Sequence, residues 1–202
     1  MESMPPLPFS EACERNKGPI LEVLRAAFAP CRAVLEIGAG TGQHAVHFAS
    51  HLTHLAWQPT DRAEYLAGLA ARVAAEGPGN LRAPFEFDVA RPAPLPGTFD
   101  AIFSANTLHI MSWPEVEAFF AFAGRGLGPG GTLAVYGPFR YRGRFTTESN
   151  EHFDRALRER DPASGIRDFE AVDALAAAQG FVLTADYAMP ANNQLIVWVQ
   201  KP

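Results

Sequence analysis

Val34 to His44 reads VLEIGAGTGQH, a short, apolar, partly β-branched run that ends in three glycines, Gly38, Gly40 and Gly42. Such a run reads as a buried parallel strand leaving the sheet through a sharp turn. Gly38 and Gly40 let the backbone bend and approach a ligand with no Cβ in the way, and Gly42 opens the next helix.

The rest of the chain alternates helix and strand around that turn. Helical periodicity covers Ser10 to Phe28, with Pro30 closing it, then Gly42 to His51 and Asp61 to Ala75. Strands are expected at Ala33–Ile37, His54–Gln58, Phe85–Phe87, Phe99–Phe103 and Thr132–Tyr136. A proline-rich loop, Pro92 to Gly97, precedes the fourth. Ser112-Trp113-Pro114-Glu115 has the form of a capping box and starts a helix that stops near Gly126 to Gly131. A late helix spans Asp168 to Gln179, and Phe181–Tyr187 and Gln194–Gln200 are close enough to pair antiparallel. This order predicts a three-layer α/β sandwich with a seven-stranded, mostly parallel sheet and an antiparallel last strand. Residues 1–202 read as one domain, with an N-terminal helix at about 10–29 and an insertion at about 139–167 as cap elements. Ligands of such sheets bind beyond the carboxyl ends of the strands, where the glycine turn lies.

Composition narrows the function classes. A 202-residue chain, 48% hydrophobic, buries one sizeable core, and a formal charge of -5 gives no general attraction to nucleic acid or anionic membrane. No apolar segment is long enough to span a bilayer, and the start Met1 to Pro6 lacks the form of a secretory signal, so the expected location is cytoplasmic. Cys13 and Cys31 lack metal-site spacing and read as packing residues.

The turn departs from the dinucleotide fingerprint G-x-G-x-x-G, because the third glycine comes one residue early and Gln43 stands where that pattern has glycine. Glu36, inside the strand before the turn, suits a cationic ligand better than a pyrophosphate.

Glu36-Ile37-Gly38-Ala39-Gly40-Thr41-Gly42 resembles the E-x-G-x-G-x-G motif of the class I methyltransferases that use S-adenosylmethionine. The resemblance implies their Rossmann-like fold and that cofactor. It assigns Glu36 to the methionine part, Asp61 to the ribose hydroxyls, Asp88 and Val89 to the adenine, and Ser104 to Ile110, with Asn106, to the cofactor and methyl-transfer wall. Gly128 to Leu133 looks like the family's turn into the fifth strand. More narrowly, Cys13-Glu14-Arg15-Asn16-Lys17-x-Pro19-Ile20, Ala105 to Ile110, Tyr136-Gly137-Pro138-Phe139 and Met189 to Asn193 look like the domain of unknown function 938, the family of methyltransferase-like protein 26. That resemblance brings a fold and no established substrate.

Several side chains admit two readings. Asp61 is either a ribose ligand or the N-cap of its helix, and Asp88 is an adenine ligand or a turn residue. His109 is either a general base on the acceptor or a neutral residue that packs on the cofactor or fixes Asn106. His44, His47 and His51 read as one solvated helix face and no metal ligand set is expected, as H-E-x-x-H lacks its glutamate here. Arg140, Arg142 and Arg144 follow the fifth strand as an anion clamp or as solvated loop residues. By resemblance Arg15, Asn16, Tyr136, Asn192 and Asn193 join Arg140 and Arg144 in lining a substrate pocket. The expected activity is methyl transfer from S-adenosylmethionine to an O, N or S nucleophile of a small molecule, with no nucleic-acid or membrane partner. The alternatives are a non-catalytic module or partner subunit that binds the same cofactor, and an NAD-dependent oxidoreductase.

Overall fold

The computed structural model describes residues 6–92, 94–95 and 97–202. The start Met1–Pro5, and Ala93 and Pro96 of the proline-rich loop, lie outside the described residues.

Helix α1 (Glu11–Ala27) begins where Ser10 Oγ accepts the Cys13 amide at 3.3 Å. It leads to strand β1 (Ala33–Ile37), the glycine turn and helix α2 (Gln43–His51). Strand β2 (Ala56–Asp61), helix α3 (Ala63–Glu76), the two-residue strand β3 (Phe85–Glu86) and strand β4 (Ala101–Ala105) follow. Helix α4 (Trp113–Gly126) starts at the expected capping box, in which Glu115 accepts from the Ser112 amide at 2.6 Å. Strand β5 (Thr132–Gly137) ends the parallel part of the chain.

The insertion is more structured than the sequence predicts. It holds strands β6 (Phe139–Tyr141) and β7 (Arg144–Phe145), helix α5 (Glu148–Arg160) and strand β8 (Arg167–Asp168). The three strands form a small second sheet in the order β7-β6-β8. Helix α6 (Phe169–Ala178) and the hairpin of β9 (Phe181–Met189) and β10 (Asn193–Gln200) complete the chain.

The main sheet has the order β3-β2-β1-β4-β5-β10-β9, with β10 antiparallel to both neighbours. This is the expected α/β sandwich. One core packs β1, β4, β5 and β10 against α4 and α6 through residues such as Leu35, Ile102, Phe120 and Trp198. The other packs the opposite face against α1 and α2 through Leu24, Phe48, Trp57 and Phe103. The strand order reverses between β1 and β4, so the carboxyl edge of those two strands is the crevice where such sheets hold ligands.

Candidate active site

At that edge lies a cleft of about 730 Å³. Its floor is Ile37 to Thr41, with Gly38 and Gly40 in the left-handed region at φ +77° and +55°. The Gly40 amide donates to Asp61 Oδ2 at 2.6 Å and the Arg62 amide to Oδ1 at 2.8 Å. Asp61 is therefore not the helix N-cap, a position Arg62 takes. Burial raises its carboxyl, against which those two amides work. Phe87, Asp88 and Val89 line the cleft beyond β3. Asp88 also closes its own turn by accepting the Ala90 amide at 2.9 Å, so both of its expected roles are compatible.

The other wall is the segment Asn106 to Met111. Asn106 sits at φ +59° and donates its amide to Tyr136 O at 2.8 Å. His109 is 6% exposed and lines the cleft, in a T-shaped arrangement with Phe153 with centroids 5.4 Å apart. Burial, then the charges of Arg167 and Arg160, lower its pKa to about 4. Its ring makes no hydrogen bond to Asn106.

The carbonyls of this segment are fixed by the end of the insertion. Leu108 O accepts from Arg167 Nε at 3.0 Å, His109 O from the Gly165 amide at 2.8 Å, Ile110 O from Ser164 Oγ at 3.2 Å, and Met111 O from the Arg167 guanidinium. Four successive carbonyls thus have partners on one short stretch. Asp154 ties that stretch to α5 by accepting the Ile166 amide at 2.6 Å and Arg158 Nε at 2.8 Å.

Ser10, Ala12, Cys13 and Arg15 from α1 and its cap, Ser149, Asn150 and Phe153 from α5, and Ala191 and Asn193 from the hairpin turn also line the cleft, as do His44, Arg62 and Glu115. Both cap elements therefore reach the cleft. Of the remaining polar residues expected there, Asn16, Tyr136 and Asn192 do not line it, and Asn16 is buried 2.6 Å from His44 Nε2. Tyr136 is buried with Asn16 and Asn193 facing its hydroxyl, which desolvation raises. Asn192 accepts from Asn150 through its carbonyl and donates to Ser149 Oγ.

Three further expectations are corrected. Glu36 does not line the cleft: it is fully buried and accepts from Trp57 Nε1 at 2.7 Å. Arg140 and Arg144 form no clamp there. Arg140 pairs with Asp168 at 2.6 Å and lies over the Phe145 ring, and Arg144 is exposed on the small sheet, neither lining the cleft. His44 is buried rather than solvated, stacked on Phe48, with burial lowering its pKa to about 3. Sequence reasoning also missed Phe153, although a phenylalanine in the charged run ESNEHFDRALRER was a legible signal.

Burial raises Glu36 from 4.5 to about 8, opposed by the Trp57 bond. The fold thus favours the neutral acid, and its contribution is complete below about 4.5 and lost as pH rises through about 8. Glu36→Gln is expected to melt with the parent at pH 5 and above it at pH 8. Equal shifts at both values in circular-dichroism melts would rule out the titration.

The sequence model of the family described as "Protein of unknown function (DUF938)" matches residues 7–200. The chain belongs to the DUF938 family. Solved structures place this DUF938 protein among class I methyltransferase folds. An O-methyltransferase family protein from Burkholderia thailandensis superposes with a TM-score of 0.77 at 16% identity, covering 95% of this chain and 58% of that one. An O-methyltransferase family 2 protein from Planctomyces limnophilus, in complex with apigenin, gives 0.81 at 18% identity over 94% and 58%. Human N-acetylserotonin methyltransferase, in complex with S-adenosylmethionine, gives 0.71 at 16% identity over 95% and 58%. The DUF938 chain spans less than two thirds of the length of these proteins, and the likeness is one of fold. Among the described residues, no helix is long and apolar enough to cross a membrane.

Proposed function

We propose that this DUF938 protein is an S-adenosylmethionine-dependent methyltransferase acting on a small molecule. The observation that carries the reading is that one cleft gathers the glycine turn, Asp61, Asp88 with Val89, and the wall from Asn106 to Met111. Those residues fit the cofactor by chemistry. A Cβ on Gly40 would meet nothing within 4 Å, so the turn leaves open space for a ligand to approach its backbone. Each oxygen of Asp61 holds one amide and keeps a lone pair for a ribose hydroxyl. Ile37, Phe87 and Val89 offer apolar contact to an adenine, with Asp88 beside them to accept from its amino group.

Bound S-adenosylmethionine supplies a methyl group on a positively charged sulfur that keeps the bonding pair as the methyl leaves, so the donor needs no protein acid to activate it. The chain's own task is to hold the acceptor in line, exclude water and take up the acceptor's proton. Positioning of two reactants accounts for roughly 7–11 kcal/mol of a barrier at best. His109 is the group placed to receive the proton, since its neutral ring faces the cleft while its carbonyl is fixed to Gly165.

Parallel calorimetric titrations with S-adenosylmethionine, S-adenosylhomocysteine and NADH test the reading. Micromolar binding of the first two without the third is expected. Preference for NADH, or binding of none, would overturn it.

A further inference from the structure

Resting on the reading of the cleft as a site for cofactor and acceptor together, we infer that the acceptor is an uncharged, ring-bearing apolar molecule whose hydroxyl or amine donates a hydrogen bond to Asn150 before His109 takes its proton, with its body against Ile110 and Phe153.

Three observations on the acceptor side lead there. Ile110 and Phe153 are large apolar side chains left 49% and 41% exposed, and both line the cleft. The Phe153 and His109 rings are not stacked, their planes lying 67° apart, and the exposed part of the Phe153 ring is available to a planar body. Such exposed apolar area inside a concave site marks a surface that a ligand covers.

The polar end is one-sided in its chemistry. Asn150 is 6% exposed, and its amide nitrogen already donates to Thr146 Oγ1 at 2.9 Å and to Asn192 O at 3.0 Å. Both of its donor hydrogens are engaged, so the group it can offer a ligand is the Oδ1 acceptor. Asn193 also turns its amide nitrogen inward, to Pro190 O and Ala191 O at 3.3 and 3.2 Å, but it already faces the Tyr136 hydroxyl. His109, held neutral by burial, accepts as well. Asn150 Oδ1 and the unprotonated nitrogen of the neutral His109 ring favour a donor over a carboxylate or phosphate.

Charge points the same way. The cations in the lining are Arg15 and Arg62, with side chains 72% and 57% exposed and each beside its own carboxylate, Glu11 at 3.9 Å and Glu64 at 3.2 Å. Asp61, Asp88 and Glu115 line the same cleft. Solvated, already paired arginines hold an anion weakly.

The test uses the full chain saturated with S-adenosylhomocysteine and titrated with three probes that share one ring system: 2-naphthol, 2-naphthoate and 2-methoxynaphthalene. 2-Naphthol is expected to bind more tightly than either other probe by about tenfold or more, because each lacks the donor that the unpaired acceptors require. Phe153→Ala, at a partly exposed position, is expected to weaken 2-naphthol by about tenfold through lost ring contact while S-adenosylhomocysteine affinity stays unchanged. Naphthoate equal to or tighter than naphthol, no probe bound to the loaded protein, or Phe153→Ala without effect would each overturn the inference and leave the cofactor reading standing. Failure of S-adenosylhomocysteine itself to bind would overturn both.

Discussion

Gly40→Arg is expected to give a folded protein whose affinity for S-adenosylmethionine, the proposed cofactor, is reduced by about a hundredfold or more, equivalent to roughly 3 kcal/mol. At φ +55° a side chain carries backbone strain of roughly 1–2 kcal/mol, which lowers the melting temperature of a chain this size by about 2–8 °C. The site itself has room, since a Cβ there meets nothing within 4 Å, and the arginine extends into the cleft that Gly40 lines. Gly38 behaves differently. Its Cβ would stand 2.5 Å from Thr107 Cγ2, so Gly38→Ala displaces the Asn106–Met111 wall rather than blocking the turn alone. Calorimetric titration paired with a thermal melt separates the two effects. An arginine variant that keeps parental affinity would place the cofactor elsewhere, while an unfolded one would move the test to Gly40→Ser, with a smaller loss of affinity.

What the sequence made legible here is what is encoded locally. Ala33–Ile37 was readable to the residue because apolar, β-branched positions run straight into glycines, and the Ser112–Glu115 cap because its two groups are three residues apart. Strand β2 extends further than expected, through Gln58, Pro59 and Thr60 to Asp61. Proline argues against a central strand, yet on this edge the Ala83 carbonyl accepts from Gln58 Nε2 at 2.8 Å and β3 itself pairs only from Thr60 onward, so the missing Pro59 N–H leaves no carbonyl there unpaired. The small sheet of the insertion was not legible, because strands of two or three residues are stabilised by their partners rather than by propensity. The same distinction runs through the site. The glycines follow from their place after the first strand, whereas Asp61 and Asp88 were legible through the resemblance to the methyltransferase motifs. Arg140 is removed from the cleft by Asp168, 28 residues away, and His44 is buried because Asn16 of α1 covers that side of α2. Neither pairing leaves a trace in local spacing.

His109→Ala is expected to reduce kcat/KM by roughly 100-fold or more, the range for loss of a positioned general base, while S-adenosylhomocysteine affinity stays within threefold or so. The pH profile carries the sharper statement. An ordinary histidine would give an inflection near 6.5, whereas His109, desolvated and close to Arg167 and Arg160, loses its proton at about 4. The limb due to this group therefore lies in the acid range, and it contributes a plateau through neutral pH. Arg167→Met keeps the aliphatic stem but removes the charge and the donors to Leu108, Met111 and Ala163. It is expected to move the His109 limb upward, because one of the causes depressing it is gone, and to lower kcat/KM as the wall loosens. Titration of the His109 ring by nuclear magnetic resonance reads the shift directly, and Arg160→Met, which removes the other nearby charge, is expected to move it in the same direction. Equal losses of turnover and cofactor affinity in His109→Ala would make the residue a packing element. A ring that titrates near 6.5 in the parent, or that stays at about 4 in Arg167→Met, would remove the arginine from the account of its acidity.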